Sequence, residues 1–259
     1  MIVIAVPFRL ESQRLRRKVL QKINGIPMCV HVMERCHRFF SQSKDIKFIA
    51  AVDHSETKTI LEEHFPELYI QMTPARLKCG TDRIFYAYQK SLKNTPGFWR
   101  GVHSIVNLQG DMPFFEKASL AKVFRYLREN GKNKEAYVTL SQSWPDDLDY
   151  NSKDAVKVIC KSNREALYFS RFPVPESRRG DYKKRELHLG VYGYGLKSLE
   201  KFVKLRTSTF EHHEGLEQLR ALEAGWNLKV IKVSPKDPLA FRGIDNQKDL
   251  KWARKKALS

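Results

Sequence analysis

The feature that most constrains this chain is the alternation of two periodicities over its first 130 residues. Apolar, β-branched runs stand at 1–6 (MIVIAV), 46–52 (IKFIAAV), 68–72 (LYIQM) and 102–108 (VHSIVNL). Between them, at 27–40, 55–65, 80–92 and 116–130, apolar residues recur at helical spacing; Ile60, Leu61 and His64–Phe65, for example, share one helical face. Short runs that are apolar throughout are strands buried on both faces, and strands separated by helix-length segments pair as parallel neighbours. The pattern predicts an α/β fold with a mostly parallel, doubly wound sheet. Ligands of such sheets bind beyond the carboxyl ends of the strands, so the residues that follow strands are the candidates for chemistry.

Beyond residue 136 the rhythm changes. Strands are predicted at 136–144 and 155–162, separated by an acidic turn at 145–154, and at 187–195 and 227–233. The stretch 166–175 (ALYFSRFPVP) runs into a polar, basic loop at 177–186. Residues 208–225 are predicted as one helix, with Ser208 or Thr209 as N-cap and Gly225 as its stop, and another begins at Gln247. No repeat, low-complexity segment or long linker divides the chain, which predicts a single domain over 1–259 carrying an inserted arm.

Charge and cysteine usage narrow the classes. The excess of 47 Lys+Arg over 29 Asp+Glu gives +18, spread through RLRRK, KNTPGFWRG, RENGKNKE, SRRGDYKKR and KWARKKALS. Aromatics are not interleaved with these cations at base-stacking intervals, so a solvated basic surface, aided by small anionic substrates, is favoured over nucleic-acid binding. No run of about 18 apolar residues is present, so no membrane span is expected, and MIVIAVPF reads as a strand rather than a signal peptide. Cys29, Cys36, Cys79 and Cys160 have neither zinc-ligand nor disulfide spacing, which predicts reduced thiols in a cytoplasmic protein.

Three strand ends carry candidate chemistry. The glycine-free loop after the first strand holds Arg9, Arg14, Arg16, Arg17 and Lys18, either a solvated turn or a phosphate clamp. CGTDR (79–83) opens a helix whose free N–H groups favour anions, with Gly80 permitting close backbone approach and Thr81 able to cap. Cys79 has no Cys/His/Asn partners and is not read as a nucleophile. In VNLQGDMPFF, Asp111 is a turn residue or a ligand to magnesium, which takes one or two carboxylates plus phosphate and water oxygens. Asp245 (FRGIDNQKDL) is expected at another strand end before a helix, as metal ligand or N-cap. Arg171 follows a strand, where it meets a substrate carboxylate or a structural acid. His188 and Tyr192 are expected on one strand face.

Taken in order, these fragments resemble the 3-deoxy-manno-octulosonate (Kdo) cytidylyltransferase family, related to the sialic-acid activating enzymes. PFRLESQRLRRKVLQKINGIPM is similar to the family opening P-A-R-x-x-S-x-R-L-P-G-K-P-L with its N-G-x-P-M helix start. CGTDR resembles S-G-T-[DE]-R, and VNLQGDMP resembles V-N-[VL]-Q-G-D-x-P. ALYFSRFPVP, HLGVYGYG, FEHHEGLEQLRALEAG and FRGIDNQKDL match later family segments. The resemblance implies a magnesium-dependent transfer in which the 2-hydroxyl of an eight-carbon sugar acid attacks the α-phosphorus of CTP, giving the CMP-sugar and pyrophosphate. It implies that Arg9, Arg14 and Lys18 grip the triphosphate, and that Gly80, Thr81, Arg83 and Gln109 position cytosine and ribose. Lys18, Asp111 and Asp245 are the implied catalytic group, the two aspartates holding magnesium. Arg171, His188, Tyr192, Glu217 and Gln218 are implied for the sugar acid. A cytoplasmic homodimer is implied too, with an exchanging arm at about 167–220.

The chain departs from the family pattern at Phe8, which crowds the expected place of base approach, at Arg16–Arg17, at Cys79 and at Met112. The same chemistry on 8-amino-Kdo or a nonulosonic acid therefore stays open, as does a basic nucleotide- or nucleic-acid-binding relative without turnover.

Overall fold

In the computed structural model the first strand, β1 (Ile2–Phe8), is buried along its whole length, as an apolar run with neighbours on both edges must be. The structure describes residues 1–77, 79–132, 136–176, 178 and 182–258, so parts of the basic stretches 128–135 and 177–186 lie outside the described residues. Two compact units are formed, Met1–Phe115 with Ala240–Ser259, and Glu116–Leu239.

In the first unit β1 lies between β4 (Ile46–Val52) and β6 (Ser104–Asn107), with β5 (Tyr69–Met72) outside β4. All three pairings are parallel; Ile4, for instance, stands opposite both Phe48 and Val106. A small antiparallel hairpin, β2 (Lys22–Ile23) and β3 (Ile26–Pro27), leads into α1 (Met28–Phe40). Helix α1 buries Met28, Cys29, Val32, Met33, Cys36 and Phe40, the single face its spacing predicts. Helices α2 (Ser55–His64), α3 (Gly80–Asn94) and α8 (Gln247–Lys256) complete the unit. The predicted α/β class with a largely parallel sheet is what this unit shows.

The cap of α3 differs from expectation. Cys79 Sγ, not Thr81, accepts the Asp82 amide at 3.4 Å, while Thr81 is wholly buried in the first turn. The helix starts two residues earlier than a Thr81 cap requires, which turns the threonine inward.

The second unit comprises α4 (Lys117–Asn130), β7 (Tyr137–Ser143), β8 (Lys157–Cys160), β9 (Ala166–Ser170), β10 (Glu186–Gly195), α5 (Leu196–Phe202), α6 (Thr209–Glu214), α7 (Leu219–Glu223) and β11 (Lys229–Val233). Its strands pair β11 with β7 in parallel, then β7 with β10, β10 with β8 and β8 with β9 antiparallel. Tyr137 and Tyr194 stack at its core with ring centroids 4.5 Å apart.

The single helix expected over 208–225 is two. Ser208 caps α6 in a reciprocal box with Glu211, as the sequence suggests. Gly215 then takes φ 63° and ends the helix, its N–H returning to the Glu211 carbonyl at 2.8 Å. A glycine at that place favours a left-handed stop over continuation, and the chain restarts at Leu219, leaving Glu217 and Gln218 in the break. Gly225, at φ 77°, follows the second helix.

Candidate active site

The residues that follow β1, β4 and β6 line a cavity of about 870 Å³ within the first unit. The cation-rich loop is built around its apolar side chains. Leu10, Leu15 and Val19 are buried at 6%, 2% and 2% exposure, and Leu15 packs with Ile23, Met28, Ile244, Leu250 and Ala253. Arg9, Arg14 and Lys18 line the cavity. Arg16 is exposed, and Arg17, at φ 53°, pairs with Glu56. Three of the loop's five cations thus line the cavity. Arg9 Nη2 also donates to the Leu77 carbonyl at 2.5 Å.

Lys18 stands between the two predicted metal-binding acids. Its Nζ is 2.5 Å from Asp111 Oδ2 and 2.9 Å from Asp245 Oδ1. Burial works against the ammonium charge, but Asp111 and Asp245 outweigh it, so its pKa is raised and the group stays protonated at working pH. Arg14 Nη2 adds a second cation 3.2 Å from Asp245. The Ile244 amide donates to the Asp111 carbonyl at 2.9 Å, joining the two acid-bearing segments. Asp245 does not follow a strand: residues 242–245 are irregular and Asn246 caps α8. What holds Asp245 is instead its amide on Asp249 Oδ2 at 3.1 Å, Asp249 being fixed by Arg242 at 2.6 Å.

These carboxylates fit a magnesium ion in type. Lys18 takes Asp111 Oδ2 and Asp245 Oδ1, while Asp111 Oδ1 and Asp245 Oδ2 flank Gly243, each 3.6 Å from where a Cβ would sit. Two carboxylates leave the remaining positions of an octahedral ion to phosphate and water. Among the described residues no group of three or more His, Cys, Asp or Glu forms a larger site.

The predicted base-binding residues separate. Gly80, Arg83 and Gln109 line the cavity. Gln109 Nε2 donates to Asn107 Oδ1 at 3.2 Å, and Asn107 Nδ2 to Thr81 Oγ1 at 3.3 Å. Thr81 therefore acts behind Asn107 rather than in the cavity. Arg83 is 2% exposed and 3.2 Å from Asp53 Oδ2. Its Nη1 donates to Thr73 Oγ1. Gly110 is required by packing, since a Cβ there would lie 2.6 Å from Phe8 Cδ1 and 2.7 Å from the Pro7 carbonyl. Phe8 does not crowd the cavity; it is buried beneath Gly110, and Met112 is likewise buried, at 7% exposure. Among the departures only Cys79 is a lining residue.

In the second unit, His188, Tyr192 and Gln218 come together. The His188 ring lies 5.5 Å from Tyr192 and 4.8 Å from Phe169, and its Nε2 is 2.9 Å from Thr139 Oγ1. Burial lowers its pKa to about 3, so it is a neutral packing group at working pH. The Tyr192 hydroxyl donates to Gln218 Oε1 at 2.9 Å. Gln218 is 1% exposed and, among the described residues, its Nε2 has no hydrogen-bond partner. Arg171 meets carbonyls rather than an acid side chain through its guanidinium: Nε donates to Glu214 at 2.7 Å and Nη1 to Lys153 at 2.9 Å. Its amide donates to Glu214 Oε2 at 2.9 Å.

Asp53, Asn107, Arg242 and Asp249 were not among the residues singled out from the sequence. Asp53 carried the same signal as Asp111, an acid just past a strand. Nothing local marks the other three.

The profile of the cytidylyltransferase family matches residues 2–233. The chain is 33% identical over 252 residues to the 3-deoxy-manno-octulosonate cytidylyltransferase of a Nitratiruptor species, covering 96% of this chain and 97% of that one. It is 34% identical over 257 residues to the protein of that name from Bartonella bacilliformis, covering 98% and 97%. A solved structure of CMP:2-keto-3-deoxy-manno-octonic acid synthetase complexed with CTP has TM-score 0.82 and 27% identity, over 99% of this chain and 98% of that one. The chain belongs to the cytidylyltransferase family, and within it to the 3-deoxy-manno-octulosonate cytidylyltransferases.

Proposed function

We propose that the protein transfers a cytidylyl group from CTP to Kdo. The Kdo 2-hydroxyl oxygen bonds to the α-phosphorus and gives up its proton to solvent, the bond from that phosphorus to the bridging oxygen breaks, and pyrophosphate leaves with the electron pair. The observation that carries the proposal is the Lys18–Asp111–Asp245 cluster in a cavity that Arg9 and Arg14 also line. Those cations suit a triphosphate, and Gln109, backed by Asn107, offers the base and ribose a polar edge. Asp111 and Asp245 would hold magnesium, which when bound supplies charge neutralisation of the triphosphate. Lys18, fixed by both acids, contributes a positive charge that needs no reorganisation during transfer.

For the sugar acid we assign Gln218 and Tyr192, supported by the buried, unpartnered Gln218 Nε2. A buried amide without a partner costs about 1–3 kcal/mol, which a ligand hydroxyl or carboxylate would offset. Arg171 serves this group by holding Glu214 and the turn that leads to Glu217 and Gln218. The proposal includes a homodimer, to which the second unit brings the exposed apolar side chains of Leu167, Phe172 and Phe210. It also includes a cytoplasmic site of action, consistent with free cysteines and with no described helix long and apolar enough to cross a membrane.

The test is pyrophosphate release from CTP by pure protein, with and without Kdo and magnesium. Release that needs both is expected. Turnover with 8-amino-Kdo or a nonulosonic acid but not with Kdo would reassign the substrate, and no release with any acid would overturn the enzymatic proposal.

A further inference from the structure

Three loop segments at the carboxyl ends of β1, β4 and β5 meet on one buried ion pair. Asp53, directly after β4, has a side chain 5% exposed, and that of Arg83 on α3 is 2% exposed. Asp53 Oδ1 accepts the Leu10 amide at 2.9 Å. Its Oδ2 stands 3.2 Å from Arg83 Nη2, a contact of charges rather than an aligned hydrogen bond. Arg83 Nη1 in turn donates to Thr73 Oγ1 and, at 3.4 Å, to the Pro74 carbonyl. Thr73 Oγ1 donates to the Val52 carbonyl at 3.0 Å, closing the circuit onto β4. Arg9, one residue before Leu10, reaches the Leu77 carbonyl and so ties the same two loops a second time.

We propose that Asp53 is a positioning residue: through the Leu10 amide and Arg83 it fixes the loop bearing Arg9, Arg14 and Lys18 against the start of α3. The proposal rests on the reading of this cavity as the CTP site. It gives Arg83, which also lines the cavity, a supporting role in holding that loop. A loop fixed before the ligand arrives saves the ordering cost on binding, and displacing phosphate-gripping cations by about 1 Å is enough to cost a large factor in rate or affinity. A charge pair this buried is also one whose separate halves are costly, so the circuit resists partial opening.

The experiment compares wild type, Asp53→Ala, Asp53→Asn, Arg83→Met and the Asp53→Ala/Arg83→Met double variant. Calorimetry gives CTP affinity, steady-state assays give kcat and both KM values, and hydrogen exchange reports the Leu10 amide. In Asp53→Ala the affinity for CTP should fall about tenfold or more, with the KM for the sugar acid changed by less than about threefold. Asp53→Asn, which still offers Leu10 an acceptor, should recover part of the loss and covers the case in which the alanine variant does not fold. The double variant should bind CTP no worse than Arg83→Met alone, because both act through one circuit. Leu10 exchange should quicken in Asp53→Ala. Wild-type CTP affinity in Asp53→Ala, or losses that simply add in the double variant, would overturn the proposal. So would a lowered Tm with CTP affinity unchanged, the mark of a merely structural pair. If wild type itself binds no CTP, the reading of the cavity fails, and Leu10 exchange alone then decides whether Asp53 fixes the loop.

Discussion

Replacing Lys18 with methionine removes the one ammonium that stands between Asp111 and Asp245 and keeps a side chain of similar length. The two acid oxygens lie 2.5 and 2.9 Å from Nζ, so they are separated by no more than about 5–6 Å, and at an effective dielectric near 20 their charges repel by about 3 kcal/mol. With side chains 19% and 34% exposed, water screens part of this, leaving about 1–2 kcal/mol. In a chain of this size that lowers Tm by about 2–8 °C. A divalent cation should restore it, because the variant offers two charged carboxylates with no ammonium between them, Arg14 reaching Asp245 alone at 3.2 Å. Melting with and without magnesium is the assay: the magnesium-dependent rise in Tm should be larger in Lys18→Met than in wild type and absent from Lys18→Met/Asp111→Asn. Turnover should fall about a hundredfold or more even with magnesium saturating, since a fixed positive charge beside the transferring phosphorus is lost. An unchanged Tm, no added response to magnesium and near-normal turnover would together refute the role given to Lys18.

Further expectations follow from the same geometry. Asp111→Ala should abolish pyrophosphate release while circular dichroism stays native; near-normal release would remove Asp111 from the metal site. Arg171→Ala should raise the KM for the sugar acid more than that for CTP, because it frees the Glu214 turn leading to Gln218; the opposite split would misplace the sugar group. The folded His188 pKa near 3 lies below the ordinary value of 6.5. The unfolded state therefore binds the proton first, and the contribution of His188 to stability is flat above pH 6.5 and declines as pH falls from there towards 3, by up to about 1.4 kcal/mol per unit. Denaturant titrations at pH 7 and pH 4.5 should show that decline shrink in His188→Gln, and an unchanged decline would clear His188 of it.

Local pattern carried the fold of the first unit a long way. A strand such as IVIAVPF needs no distant information to be recognised, because burial on both faces leaves it apolar throughout. Asp111 and Asp245 were legible as acids near helix or strand boundaries, and the resemblance supplied their pairing. Long-range polar circuits were not legible. The resemblance gives Arg83 to the nucleotide, and it does line the cavity, but nothing local in the sequence shows that its side chain pairs with Asp53 and Thr73, which lie elsewhere in the chain. The strand expected before Asp245 is absent because a buried Asp249 braces that residue from the following helix. The break at Gly215 was missed for a different reason: strong helix formers on both sides masked a single residue whose left-handed conformation decides the matter.

The first unit is discontinuous, its last piece beginning at Ala240 after the whole second unit has been written into the chain. A nascent chain that has emerged as far as residue 239 already carries Lys18 and Asp111, but it has no Asp245 and none of the α8 residues that pack on Leu15. Since domains made early in synthesis begin to fold while the rest is still being added, this unit must wait for the piece that starts at Ala240 before its cavity can close. The acid-lined site is thus among the last things translation completes, and the strand-rich second unit has time to fold on the ribosome before any CTP can be held.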